Sequence, residues 1–329
     1  KVGAALVDVC DEHPESEVLF RQALAILRTN LAADPSSSST EREYAAVLNG
    51  LGGVLLETHR LEDARTLFEQ ALQIRERSFR PDHPTVAESL EGLAGVYRQS
   101  GDLDAAEAAS RRVLQIRVSA LGSAHPLTAL AHRDLGLLLA RRRDVKGALD
   151  SALAAERIGR EHLRLTSRSL PDRQALLYAS VRTSGLDLAL GLAAGGLDQA
   201  SRRRVWDTLI QSRAAVLDEM ASRRRSLAVP SGDREVSALF IRLAAASRRL
   251  SNLHVRGPDA QDPDRHYRLL EEALREKESL ERTLAEKSAS FRREREASEV
   301  NLDRLLTQLP ESGALVAYTR YDDPGKEPS

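Results

Sequence analysis

One register, repeated three times without a gap, constrains this chain more than any other feature. LNGLGGVLLETHRLEDA (48–64), LEGLAGVYRQSGDLDAA (90–106) and HRDLGLLLARRRDVKGA (132–148) begin 42 residues apart. A fixed period of this size marks a protein made by stacking one helical unit on the next, because a single unit cannot bury its own apolar face. Within each unit large residues recur at helical spacing, Leu48, Leu51 and Leu55 in the first copy. Between them sits a small residue, Gly52, then Ala94 and Gly136, where a neighbouring helix approaches closely. The third copy opens on His132 where the others have leucine. A turn follows, and a second helix opens at Ala64, Ala106 and Ala148, carrying Phe68 and Ala71 in the first copy and Ser110 and Val113 in the second.

These positions match the tetratricopeptide (TPR) pattern, and the fold class they imply is all-α: a right-handed superhelix of helical pairs. The period exceeds that of the usual TPR. Its extra residues fall in FRPDHPTVAES and LGSAHPLTALA, and in this respect the array resembles the long repeats of kinesin light chain and its bacterial relatives. The pairs His83-Pro84 and His125-Pro126 read as helix starts, with proline at the first helical position, in preference to metal ligands. Upstream, LFRQAL (19–24) repeats LFEQAL (67–72) at an offset of 48, the added residues forming the DPSSSST loop, so a further copy is expected, truncated at its start. Cys10 and His13 lie three apart, a spacing that invites a thiol–imidazole pair. Pro14 is read as ending that helix and nothing orients the imidazole, so a buried or incidental cysteine is the preferred reading. Downstream, GLDQA (196–200) echoes RLEDA, and 172–222 reads as a degenerate fourth pair.

The second half follows a different pattern. Apolar residues recur at Val236, Phe240, Leu243, Leu250 and Leu253, RGPDAQDPD (256–264) breaks the helix, and a second long helix carries Leu270, Ala273, Leu280, Leu284 and Phe291 at heptad-like spacing. Lys277 and Lys287 interrupt that stripe, which favours a long antiparallel hairpin packed on a neighbour over an independent coiled coil. ALVAYTRY (314–321), set between Gly313 and Asp322-Asp323-Pro324-Gly325, reads as one terminal β-strand with no partner. The expected division is a TPR array at 1–168, a degenerate pair or connector at 169–228, the hairpin at 229–308, and the start of a further domain at 309–329.

WDTLIQSRAAVLDEMASRRR (206–225), the hairpin and LTQLPESGALVAYTRY (306–321) together resemble the stretch that leads into the peptidase domain of bacterial TPR-CHAT proteins. The resemblance implies a caspase-like cysteine peptidase domain that opens on the strand at 314–321. The His and Cys that such peptidases use lie well downstream of that strand, and after Ala314 this sequence has neither, so no catalytic residue is assigned and the chain itself is expected not to be an enzyme.

Composition narrows the partners. Bases (48) and acids (49) cancel, so no global field favours nucleic acid or an anionic membrane. Arg-rich runs at 141–143, 202–204 and 223–225 lack the interleaved aromatics of a single-strand binder and have acids close by, so they read as solvated helix faces. The single cysteine excludes an internal disulfide, no apolar run reaches membrane-spanning length, and no Gly-rich phosphate loop or HExxH motif is present, so no cofactor or metal is expected. Lys1 falls in the middle of an apparent helix with no signal peptide before it, which reads as a piece of a cytoplasmic protein.

In a TPR array the first helix of each pair lines the binding groove. Counted from Leu48, Leu90 and His132, the groove-facing candidates are Asn49, Gly53 and Glu57, then Glu91, Arg98 and Gln99, then Arg133 and Arg141. A polar face of mixed sign suits a protein or peptide ligand, and the same residues also fit ordinary exposed helix positions. Two functions remain open: the sensor and scaffold region of a TPR-CHAT peptidase, or a free-standing TPR adaptor with no linked enzyme. The terminal strand favours the first.

Overall fold

The computed structural model of the chain describes residues 13–167, 183–213, 234–256, 263–287 and 302–309, and every element among them is an α-helix. The all-α class expected from the repeats is what these residues form. The strand expected at 314–321, Cys10 and Phe291 lie outside the described residues. Two compact units divide the chain, one running to Ser123 and including Leu138–Asp144, the other taking Ala124–Leu137 and everything from Val145 on.

The first unit packs α1 (His13–Ala33), α2 (Ser38–Glu57), α3 (Leu61–Ser78), α4 (Pro84–Ser100) and α5 (Leu103–Leu121) in chain order. Short connections make successive helices antiparallel neighbours. The repeat period reappears as a ladder of burial: Ala45 and Ala87, Leu48 and Leu90, Leu51 and Leu93, Ala64 and Ala106 are all buried. A further rung was not singled out by the sequence pattern. Ile74, Ile116 and Ile158, spaced by the same period, are 8%, 4% and 1% exposed, whereas Ile26 at the corresponding place on α1 is 62% exposed.

Aromatic rings set the close approaches. A Cβ added at Gly92 would lie 2.2 Å from the ring of Phe68, and one at Gly50 would lie 2.6 Å from the ring of Phe20. Each ring therefore projects from the second helix of one pair onto the backbone of the following first helix. Gly52, the close-approach position expected from the sequence, meets the same Phe68 ring less tightly, at 3.0 Å.

Turns and caps follow from local chemistry. Residues 59, 101 and 143, one period apart, all take positive φ (His59 59°, Gly101 84°, Arg143 63°). At His59 and Arg143 the chain closes a Schellman motif, with the Arg60 N–H donating to the Leu55 carbonyl at 2.8 Å and the Asp144 N–H to the Leu139 carbonyl at 2.9 Å. The His-Pro pairs start helices, as expected: the His83 Nδ1 accepts from the Thr85 N–H at 3.3 Å and the His125 Nδ1 from the Leu127 N–H at 3.1 Å. The helix that was expected to carry Cys10 and end at Pro14 lies outside the described residues. Pro14 itself sits in the first turn of α1, where proline is tolerated.

The second unit holds most of α6 (Pro126–Arg141), then α7 (Val145–Ser167), α8 (Leu186–Ala194), α9 (Gln199–Arg213), α10 (Arg234–Arg256), α11 (Pro263–Lys287) and the short α12 (Leu302–Leu306). Helices α8 and α9 pack on α7 around the fully buried Glu156, whose carboxylate accepts from the Ser184 hydroxyl at 2.6 Å and the Ser212 hydroxyl at 2.7 Å. Gly136 sits under Leu188 and against the Ala148 carbonyl, as tight as its sequence position implied. Helices α10 and α11 form an antiparallel hairpin: Leu239, Leu243 and Ala246 meet Leu280 and Leu284, Leu250 meets Ala273, and Lys287 at the end of α11 pairs with Glu235 at the start of α10.

Candidate partner-binding face

On α2, Asn49, Gly53 and Glu57 follow one another at intervals of four residues and so share one face. Asn49 is half-buried, and its Oδ1 is a buried acceptor with no hydrogen-bond partner. One turn on, a Cβ added at Gly53 would meet nothing within 4 Å, so the helix backbone there lies open to an approaching group. Glu57 is exposed in the last turn. The three residues together set an open glycine between a partly buried amide and an exposed carboxylate.

The candidates on α4 divide. Glu91 is committed within the fold: its carboxylate forms a short ion pair with the buried guanidinium of Arg117 on α5. Arg98 and Gln99 are exposed, and the Gln99 Oε1 lies 3.1 Å from the His59 Nδ1 in the turn after α2. On α6, Arg141 is exposed, while Arg133 is half-buried and pairs with its neighbour Asp134 at 3.1 Å. Arg133 belongs to the second unit and the other candidates to the first.

Two buried arginines escaped the sequence reading. The tripeptide Gln-Ile-Arg recurs at 73–75 and 115–117, and both arginines are buried. Arg75 donates to the Thr85 carbonyl at 2.6 Å, to the Ser89 hydroxyl at 3.0 Å and to Glu88 at 2.9 Å. Burial lowers the pKa of its guanidinium and Glu88 opposes that shift. These groups tie each second helix to the following or preceding first helix. The available signal was the recurrence of the tripeptide at the repeat period.

Three of the six described arginines in the basic runs pair with acids. Arg142 pairs with Asp104 and with Glu107, Arg203 with Asp303, and Arg204 with Asp150 at 2.8 Å. Run 223–225 lies outside the described residues. Among the described residues no three His, Cys, Asp or Glu side chains gather as a metal site, and no helix is long and apolar enough to cross a membrane. His132 on α6 carries a buried Nδ1 with no hydrogen-bond partner, and burial, reinforced by the charge of Arg157, lowers its pKa.

The tetratricopeptide-repeat family model matches residues 43–117 and again 90–161. No curated protein matches the chain. Among solved structures, a kinesin-light-chain protein of Podosopora anserina with nearly identical TPR-like repeats is 20% identical, covering 65% of this chain and 89% of its own, with a TM-score of 0.43. A point variant of that same protein is 21% identical over the same shares, with a TM-score of 0.44.

Proposed function

We propose that this chain, which carries tetratricopeptide repeats at 43–117 and 90–161, is a protein-interaction scaffold that binds a peptide or protein on the face of its first helices. The observation that carries this reading is the row on α2, where an open stretch of helix at Gly53 is followed one turn on by the exposed carboxylate of Glu57. Such a surface suits an extended or helical segment that packs closely on the glycine and offers a positive charge. Arg98, Gln99 and Arg141 are further candidates in the first unit and Arg133 is one in the second, while Glu91 is held within the fold by Arg117. The chain acts by binding and does no chemistry of its own. It works in the cytoplasm.

The finer reading is that this scaffold senses a partner and regulates a CHAT-type cysteine peptidase encoded beyond residue 329. It rests on the sequence likeness of 206–225 and 306–321 and on the order of array, connector and hairpin. A coding sequence that continues past Ser329 with a peptidase His and Cys supports it, and a continuation without them removes it. The binding claim is tested by recovering partners from the native host, identifying the main one, and measuring its affinity for the Arg98→Glu, Arg133→Glu, Arg141→Glu variant. Exposed charges contribute little to folding, so helicity should hold while affinity falls about tenfold or more. Equal affinity would place the binding site elsewhere.

A further inference from the structure

We propose that the hairpin of α10 and α11 is a detachable arm, held against α7 by a polar latch formed by Lys277 and Glu161. The hairpin has two kinds of contact. Between its own helices the seam is apolar, with Leu239, Leu243, Leu250, Ala273, Leu280 and Leu284 buried together. Opening that seam would expose leucine to water. Toward α7, on which α10 packs, an ion pair takes part. Lys277 stands at a stripe position of α11 and is 7% exposed, with its ammonium 3.0 Å from Glu281 and 3.9 Å from Glu161 on α7.

The two carboxylates play different parts. Glu281 lies one turn along the same helix, so it travels with Lys277 wherever the arm goes. Glu161 stays behind on α7, and its side chain is already 45% exposed. Among the contacts with α7, release gives up this long, half-solvated ion pair and returns a charged group to water, while the arm keeps its leucine seam and one counter-ion. A leucine at 277 would make the docking permanent. Lysine there lets the hairpin leave α7 without unfolding, as polar interfaces within a chain commonly allow. Salt should favour release, because the half-exposed contact is screened.

The test uses the full chain in a Cys10→Ser background, with spin labels at exposed positions. One label pair, at Lys146 on α7 and Glu278 on α11, reads docking. A second pair, at Arg242 on α10 and Glu278, reads hairpin integrity. The expected result is one narrow docking distance in the parent. Glu161→Lys should raise the released fraction about tenfold, broadening and lengthening that distance with the hairpin pair unchanged. Lys277→Leu should keep the docking distance narrow even in about 1 M salt, where the parent releases. Two results overturn the proposal: Glu161→Lys leaves the docking distance as in the parent, or both label pairs change together, which would mean the hairpin unfolds when it leaves α7.

Discussion

His132 fills the place that Leu48 and Leu90 occupy in the other copies, and its Nδ1 is buried with no hydrogen-bond partner. Burial first, and the charge of Arg157 second, hold the folded imidazole below its ordinary value of 6.5. Below that pH the unfolded chain takes up a proton that the folded chain resists. This contribution is therefore complete above pH 6.5 and is lost as pH falls from 6.5 toward the depressed folded value. His132→Leu should add about 1 kcal/mol of stability at neutral pH, by removing an unsatisfied buried polar atom, and should flatten the acid limb. Urea unfolding of both proteins at about pH 5.5 and about pH 7.5 checks this. An unchanged slope would mean that the imidazole is hydrated. The departure from leucine was legible in the sequence, but the missing partner was not, since it depends on what the packed neighbours offer.

At the scale of the element, the period alone gave the order of the helices, their apolar faces and the turn positions. Packing against the next helix was less legible. The small-residue rule pointed to Gly52, whereas the tighter contact is at Gly92, because Phe68 belongs to one pair and its ring lands on the next. Glu91 shows the same limit. Its spacing puts it on the candidate face, but the buried Arg117 that claims its carboxylate comes from a different helix. Leu51→Ala and Leu93→Ala should each cost about 2–5 kcal/mol as core truncations. Gly52→Leu should cost about 1–3 kcal/mol by overpacking against the Phe68 ring. Chemical denaturation tests all three, and neutral leucine variants would mean that the register assigned to the repeats is wrong.

At the scale of the molecule, repetition was what sequence could see: three copies declare a stacked helical array, and two amphipathic stripes flanking Pro and Gly declare the hairpin. The buried Glu156 that gathers α7, α8 and α9 was not visible, because its serine partners lie 28 and 56 residues away. Fold and function separate here for a related reason, since a stacked array provides a surface and its ligand is set by the side chains on that surface. The central claim is that the partner sits on the face of α2 that carries Gly53. Photo-crosslinking with the recovered partner measures it directly, with the crosslinking residue placed at Gly53 in one protein and at the exposed Glu69 of α3 in another. A strong crosslink from position 53 and none from 69 is the predicted result. A crosslink from 69 alone would contradict it and put the partner on the face of the second helices.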